Sequence, residues 1–338
     1  MSRRLGSRWC GVLIGLALAA ACTDEPTAEG ETGTETSGDG DGDGDGDHGD
    51  GDGDGDGDGD GDPGDGDGDG DGDGGLACSG HVELCDRPYD EVVFAATHNA
   101  HSASDEGFSQ FNANHKRNIP TQLQDGVRAM LIDTYYDADD PTKIVLCHGP
   151  CSLGSTPHLD VLTSMVEFLQ ANSGELLTLI YEDHVDAADL ALDYEATGAI
   201  DLVYTHETGQ PWPTLGELVA ADTRLIVTAE QGAAPPAWHH NIWEIGWDTP
   251  YGPLDPDELS CELNRGSSDN DLFLVNHWVN NDLGLPSPAD ADVVNEYEFL
   301  LARAQECQAM WDHPPNFLAV DFYERGDLFA VVETLNGF

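Results

Sequence analysis

Cations are scarce in this sequence. Two lysines and ten arginines stand against 66 aspartates and glutamates, for a formal net charge of −54. Such an excess repels phosphate backbones, so nucleic acid is excluded as a partner and attraction to an anionic membrane is disfavoured. The one extended apolar stretch, residues 11–21, is too short to cross a bilayer as a stable helix. No glycine-rich phosphate loop follows the first strand-like run, which argues against a dinucleotide-binding open sheet. Paired C-x-x-C motifs are missing too, and with them the usual zinc framework.

Arg3, Arg4 and Arg8 precede the apolar stretch, the order of a secretory signal peptide over residues 1–22. Ala19, Ala20 and Ala21 directly before Cys22 resemble a bacterial lipobox, in which the cysteine is lipidated. The usual leucine falls one position early, at Leu18, so plain cleavage stays open as the alternative. Residues 23–75 have almost no apolar content, and seventeen aspartates alternate largely with glycine between Gly38 and Gly75. Such a segment buries nothing and repels itself, so a disordered, extended tether is expected. Residues 76–338 are long enough for one well-buried core, and carry 44 acids against nine lysines and arginines.

Beyond Cys10 and Cys22 six cysteines remain, an even count that suggests disulfides in an exported chain. Close spacing favours Cys78–Cys85 and Cys147–Cys151, which leaves Cys261–Cys307; a zinc site is the rival. The expectation is an exported monomer, either secreted or a bacterial cell-envelope lipoprotein touching the membrane through its lipid anchor.

Eight short apolar runs have strand character: residues 92–96, 129–133, 144–147, 176–181, 225–228, 242–246, 272–275 and 317–320. Their near-continuous hydrophobicity suits strands buried on both faces, as in a parallel sheet. Helical spacing falls between them, with Leu162, Met165, Val166 and Leu169 on one face and Tyr297, Leu300, Leu301, Ala304 and Trp311 on another. Thr214 and Glu217 form a capping box. Eight strands with interleaved helices predict an α/β fold, an irregular (β/α)8 TIM barrel. Residues 138–143 are too few for a helix, so at least one helix is missing.

In a barrel the residue after each strand reaches the active face. Those positions hold His98 and Asn99, Asp133, His148, Glu182 with Asp183 and His184, Glu230, Asn276 with His277, and Asp321. Polar residues recurring at the same end of so many buried runs mark a barrel mouth with chemistry. His98 and His148 supply what phosphodiester cleavage requires, one imidazole to take a proton and one to give it. Asn99, Asp133 and Glu182 offer three oxygens, which select Ca²⁺ or Mg²⁺ over zinc. Alternatively the three only hydrogen-bond and orient the histidines. His101 has no assigned task and reads as a loop residue.

A strand ending T-H-N, then G-V-R-A-M-L-I-D, a strand ending C-H-G, and T-L-I-Y-E-D-H together resemble the X domain of phosphatidylinositol-specific phospholipase C. P-N-F-L-A-V-D-F-Y-E-R-G-D at residues 315–327 is similar to the secreted branch of phospholipase C-like phosphodiesterases. The resemblance covers about residues 85–338. It implies a distorted TIM barrel in which His98 and His148 act as general base and general acid. In that family the inositol 2-hydroxyl attacks the diester, releasing diacylglycerol and a cyclic inositol phosphate. Asn99, Asp133 and Glu182 match calcium ligands of the eukaryotic type, and Asp321 would orient His98 as a triad carboxylate does.

Two departures stand out. Leu131 occupies the place of a further calcium-ligand glutamate, and Tyr135 that of the arginine of the calcium-independent bacterial type. Neither electrostatic solution is complete, and Asp137 is the spare carboxylate that could restore a metal site. The function expected is a phosphoric diester hydrolase acting on a phosphoinositide lipid or a soluble analogue. One alternative is a glycerophosphodiesterase-like enzyme, although the chain lacks an H-R-G opening and an E-x-D after the second strand. Another is a non-catalytic surface binding protein on the same scaffold.

Overall fold

The computed structural model describes residues 77–338; the signal-peptide segment with Cys22 and the Gly-Asp segment 23–75 lie outside the described residues. The strands are β1 (Phe94–Thr97), β2 (Ala129–Tyr136), β3 (Ile144–Leu146), β4 (Thr156–Pro157), β5 (Leu177–Asp183), β6 (Val203–Tyr204), β7 (Leu225–Ala229), β8 (His240–Asn241), β9 (Gly246–Asp248), β10 (Leu272–His277) and β11 (Phe317–Val320). The helices are α1 (Ile119–Asp125), α2 (His158–Ala171), α3 (Ala187–Thr197), α4 (Leu215–Ala220), α5 (Ile242–Ile245), α6 (Pro288–Val294), α7 (Tyr297–Trp311) and α8 (Leu328–Asn336).

The curled sheet runs β6-β7-β5-β2-β1-β11-β10-β9, parallel throughout. This is the irregular barrel the sequence predicts. One stave is split, because β6 pairs with the first half of β7 and β8 with its second half. Among the described residues no ladder joins β9 to β6 or β8, so the barrel is open at that seam.

Strand pleating decides which way each side chain points. Phe94, Ala96, Ala129, Leu131, Ile180, Ile226, Leu272, Leu274, Phe317 and Ala319 pack together in the interior. Their alternates Ala95, Met130, Ile132, Leu179, Tyr181, Val227, Phe273, Val275, Leu318 and Val320 face the helices outside. Tyr89 and Trp212, stacked at 4.8 Å, join the interior cluster, and the Tyr89 hydroxyl pairs with Thr178 Oγ1. The α2 face Leu162, Met165, Val166 and Leu169 is buried as its spacing predicts. Thr214 and Glu217 cap α4 reciprocally.

Two sequence readings change. Residues 144–147 form no stave: β3 runs antiparallel to β2 and to β4, a side ribbon, which is why no helix precedes it. Residues 242–246 are not a strand. Asn241 accepts a hydrogen bond from Trp243 N and starts α5, whose Ile242 and Ile245 are both buried at helical spacing, and the strand begins only at Gly246. All three expected disulfides are formed. The Cys261–Cys307 bridge closes 46 residues and ties the long β9–β10 connection to α7. Replacing both cysteines by serine is expected to lower stability by about 4 kcal/mol from chain entropy, read as a shift in the urea midpoint under non-reducing conditions.

Candidate active site

The interior alternation continues past the apolar layers to the C-terminal strand ends. It delivers His98 after β1, Asp133 on β2, Glu182 on β5, Glu230 after β7, Asp248 on β9, Asn276 on β10 and Asp321 after β11. His98, Asn99, Asp133, Glu182, His184, Glu230, Tyr251, Arg265 and Trp278 line one pocket of about 270 Å³. Opposite parity removes two residues the strand ends had suggested. Asp183 faces outward and accepts from Gln231 N, and His277 is buried with Nε2 against Val294 O.

His98 is held by a chain of contacts. Its Nδ1 lies 2.9 Å from Asp321 Oδ1. Asn114 Nδ2 donates to both oxygens of Asp321, each at 3.0 Å, so the buried carboxylate cannot rotate. His115 Nε2 bonds the His98 carbonyl at 2.8 Å, and burial lowers the His115 pKa to about 4, which keeps it neutral. Trp278 stacks on the imidazole, with centroids 3.7 Å apart and planes 5° from parallel. Directly after each of the two key residues the backbone turns left-handed, at Asn99 and Phe322, both with φ 49°. For Phe322 this is a strained conformation, fixed by its N–H donating to Asn114 O.

His148 does not line the pocket. It stands beside it at the end of the β3–β4 ribbon, its ring centroid 6.5 Å from that of His98. Nδ1 pairs with Asn112 O at 2.8 Å, Asn112 Nδ2 returns a bond to His148 O, and the Cys147–Cys151 disulfide brackets the residue. Burial lowers the His148 pKa, and the neighbouring His98 imidazole adds to it. His101 is buried behind this pair, its ring edge-on to Phe108, and burial keeps it neutral.

Asn99, Asp133 and Glu182 reach the same pocket. Burial raises the Asp133 pKa well above the ordinary carboxylate value, and Glu182 and Glu230 push it further. The Asn99 amide sits between Asp133, at 3.0 and 3.2 Å from the two carboxylate oxygens, and His98 Nε2 at 3.1 Å. Glu182 turns to His184 at 2.8 Å, and Tyr135 stacks on that ring at 4.4 Å. Asp137 stands outside the pocket, accepting from the Asp139 and Asp140 N–H groups. The oxygens suit a hard cation in kind. Among the described residues no three His, Cys, Asp or Glu side chains cluster as metal ligands, so a cation here would draw on the Asn99 amide oxygen beside the Asp133 and Glu182 carboxylates.

Three residues of the site, Arg265, Asp248 and Trp278, were not among those expected from the sequence. Arg265 bonds Asp248 through Nε and Nη2 at 3.0 and 2.6 Å and Glu230 through Nη1 at 2.6 Å. Its guanidinium lies over Trp243 and Tyr251. Gly266, at φ +80°, brings this segment flat against β9, where a Cβ would collide with the Gly246 carbonyl. A signal for Arg265 existed: it is the lone Lys or Arg between residues 225 and 302. Asp248 was hidden by the misplaced strand, and Trp278 follows from the parity of Leu274 and Asn276.

An open parallel barrel of this form is a phospholipase C-like fold. A family model described as PI-PLC X 1 matches residues 84–336, and the chain belongs to the PI-PLC X domain family. A "PI-PLC X domain-containing protein 1" of Arthroderma benhamiae is 27% identical over 78% of this chain and 90% of its own length. An "uncharacterized secreted protein" of the same organism is 26% identical, over 77% of this chain and 64% of its own length. A PI-PLC X domain-containing protein of Arabidopsis thaliana is 28% identical, over 74% and 63%. The chain thus spans less than two thirds of two of these relatives. Two structures of Staphylococcus aureus phosphatidylinositol-specific phospholipase C share the fold: TM-scores are 0.53 and 0.55 and identities 15% and 16%, over 75% and 76% of this chain and 94% and 96% of theirs. The disulfides and the secreted relative fit an exported protein. Among the described residues no helix is long and apolar enough to cross a membrane.

Asp248 is fully buried, so its pairing with Arg265 is structural as well as electrostatic. Arg265→Leu is expected to destabilise the fold by about 3 kcal/mol, because it leaves a buried charge uncompensated. Adding Asp248→Asn should recover most of the loss, measured by urea denaturation of both variants.

Proposed function

We propose that the protein is a phosphoric diester hydrolase of the phospholipase C type, acting on a phosphoinositide lipid or a soluble analogue. The observation that carries this reading is His98, backed by Asp321 at 2.9 Å and facing His148 across 6.5 Å at the rim of the pocket.

A substrate hydroxyl beside the phosphodiester gives its proton to His98 Nε2 as its oxygen attacks phosphorus. Nδ1–H stays on the Asp321 side, so the carboxylate stabilises the imidazolium that forms. The bond from phosphorus to the leaving oxygen breaks, and that oxygen takes a proton from His148 Nε2. Asn112 O holds His148 Nδ1–H and so fixes which nitrogen donates. The products are a cyclic phosphate and an alcohol. Water can open the ring by the reverse proton transfers.

Arg265 is the cation nearest this chemistry, but Asp248 and Glu230 already engage it. The other wall groups, Asp133 and Glu182, are acidic. A cation recruited together with substrate would fall to Asn99, Asp133 and Glu182, Ca²⁺ before Mg²⁺ by ligand chemistry. The acidity of the domain favours a second reading, a glycerophosphodiesterase-like activity on small soluble diesters. Comparing intact phosphatidylinositol with glycerophosphoinositol separates the two. A lipid on Cys22 would hold the domain at the cell envelope, outside the acidic tether, as a monomer.

The purified chain should cleave phosphatidylinositol or glycerophosphoinositol, and His98→Ala and His148→Ala should each lower kcat/KM at least about 100-fold. Assays with chelator, then with Ca²⁺ or Mg²⁺ restored, test the cation. Absence of turnover on every diester under all these conditions overturns the proposal in favour of a binding protein.

The pH profile tests the assignment of the acid. His148 must be protonated to donate, and its pKa lies below the ordinary 6.5. The kcat/KM profile is therefore expected to lose a limb below pH 6.5 when His148 is replaced by alanine; a profile whose shape His148→Ala leaves unchanged removes His148 from that role.

A further inference from the structure

Nothing in the family motifs assigns a task to Trp278, yet it makes the closest ring contact in the site. Its indole lies 3.7 Å from the His98 imidazole with planes 5° apart. The residue is 4% exposed and occupies the next inward position beyond Asn276, so the barrel itself delivers it there. Tyr251 stacks on the same indole at 6.0 Å, and Arg265 lies over Tyr251 at 5.0 Å. The base thus stands at the end of an aromatic series anchored at its far end by Asp248 and Glu230.

Contacts at its two nitrogens, to Asp321 and to the Asn99 amide, hold the imidazole by its edges and leave it free to turn about the Nδ1···Nε2 line. A parallel indole removes that freedom and fixes the ring plane. A second effect depends on charge. The electron-rich face of tryptophan attracts a cation much more than a neutral ring, and the imidazole becomes a cation only when it takes the substrate proton. Contact with the indole face is therefore stronger in the transition state than in the resting site, which is the condition for lowering a barrier.

We propose that Trp278 is a positioning residue for the general base, fixing the His98 ring plane and stabilising the imidazolium with its π face. The proposal rests on the reading of His98 as base. Its partners in shaping that ring are Asp321 with Asn114 at Nδ1, Asn99 at Nε2 and His148 across the gap.

A fluorinated series isolates the π contribution while keeping shape and packing. In the full chain, Trp278 is replaced site-specifically by 5-fluorotryptophan and 5,7-difluorotryptophan, with Trp278→Phe and Trp278→Leu alongside. Stepwise loss of kcat with added fluorine is expected, reaching about tenfold for Trp278→Leu, with Phe between Leu and Trp and KM changing by less than about twofold. A flat kcat across the fluorinated series, in a wild type that turns over, overturns the proposal and leaves the proposed function standing. A wild type without turnover on any diester overturns both.

Discussion

The pleat of a parallel strand sends alternate side chains to opposite faces, and the site depends on that two-residue period. The staves contribute inward residues that are mostly apolar, with threonine at Thr178 and Thr228, and then a charged or amide residue where the barrel opens. Ala96 leads to His98, Leu131 to Asp133, Ile180 to Glu182, and Ala319 to Asp321. A one-residue slip in any of these strands would exchange its site residue for an outward neighbour. The register along β1, where Thr97 pairs with Val320, is what sets His98 beside Asp321 in space.

Around that frame the charge balance is unusual. A strongly acidic domain buries His101, His115 and His277 in surroundings that lower their pKa by desolvation, and gives its buried carboxylates few cations. Asp321 is stabilised by Asn114, Asp248 by Arg265 with Asn276, and Asp133 by the Asn99 amide alone. Amides carry much of the work that lysines and arginines perform in a more balanced protein. That places Asn99 and Asn114 within hydrogen-bond reach of the base and its carboxylate.

Much of this was legible in the sequence because it is local. An apolar run followed by a polar residue identifies both the strand and its mouth residue, and His98, Asn99, Asp133, Glu182 and Asp321 follow from that pattern together with the family motifs. What was hidden is what tertiary folding assembles. Asn112, Asn114 and Arg265 sit in connections whose paths no periodicity encodes. Ile242 to Gly246 misled because a four-residue helix and a short strand share the same apolar composition. Residues 144–147 were rightly extended but wrongly taken for a stave, since hydrophobicity does not reveal whether a strand pairs parallel or antiparallel.

The β3–β4 ribbon has a consequence for how such a site can change. His98 is built into the barrel, and moving it means moving the core. His148 hangs on a short side ribbon pinned by one disulfide and two contacts with Asn112. The distance between the two imidazoles is thus a property of a detachable appendage. Loop length there can be altered to suit leaving groups of different size, while the barrel that carries the other half of the chemistry stays as it is.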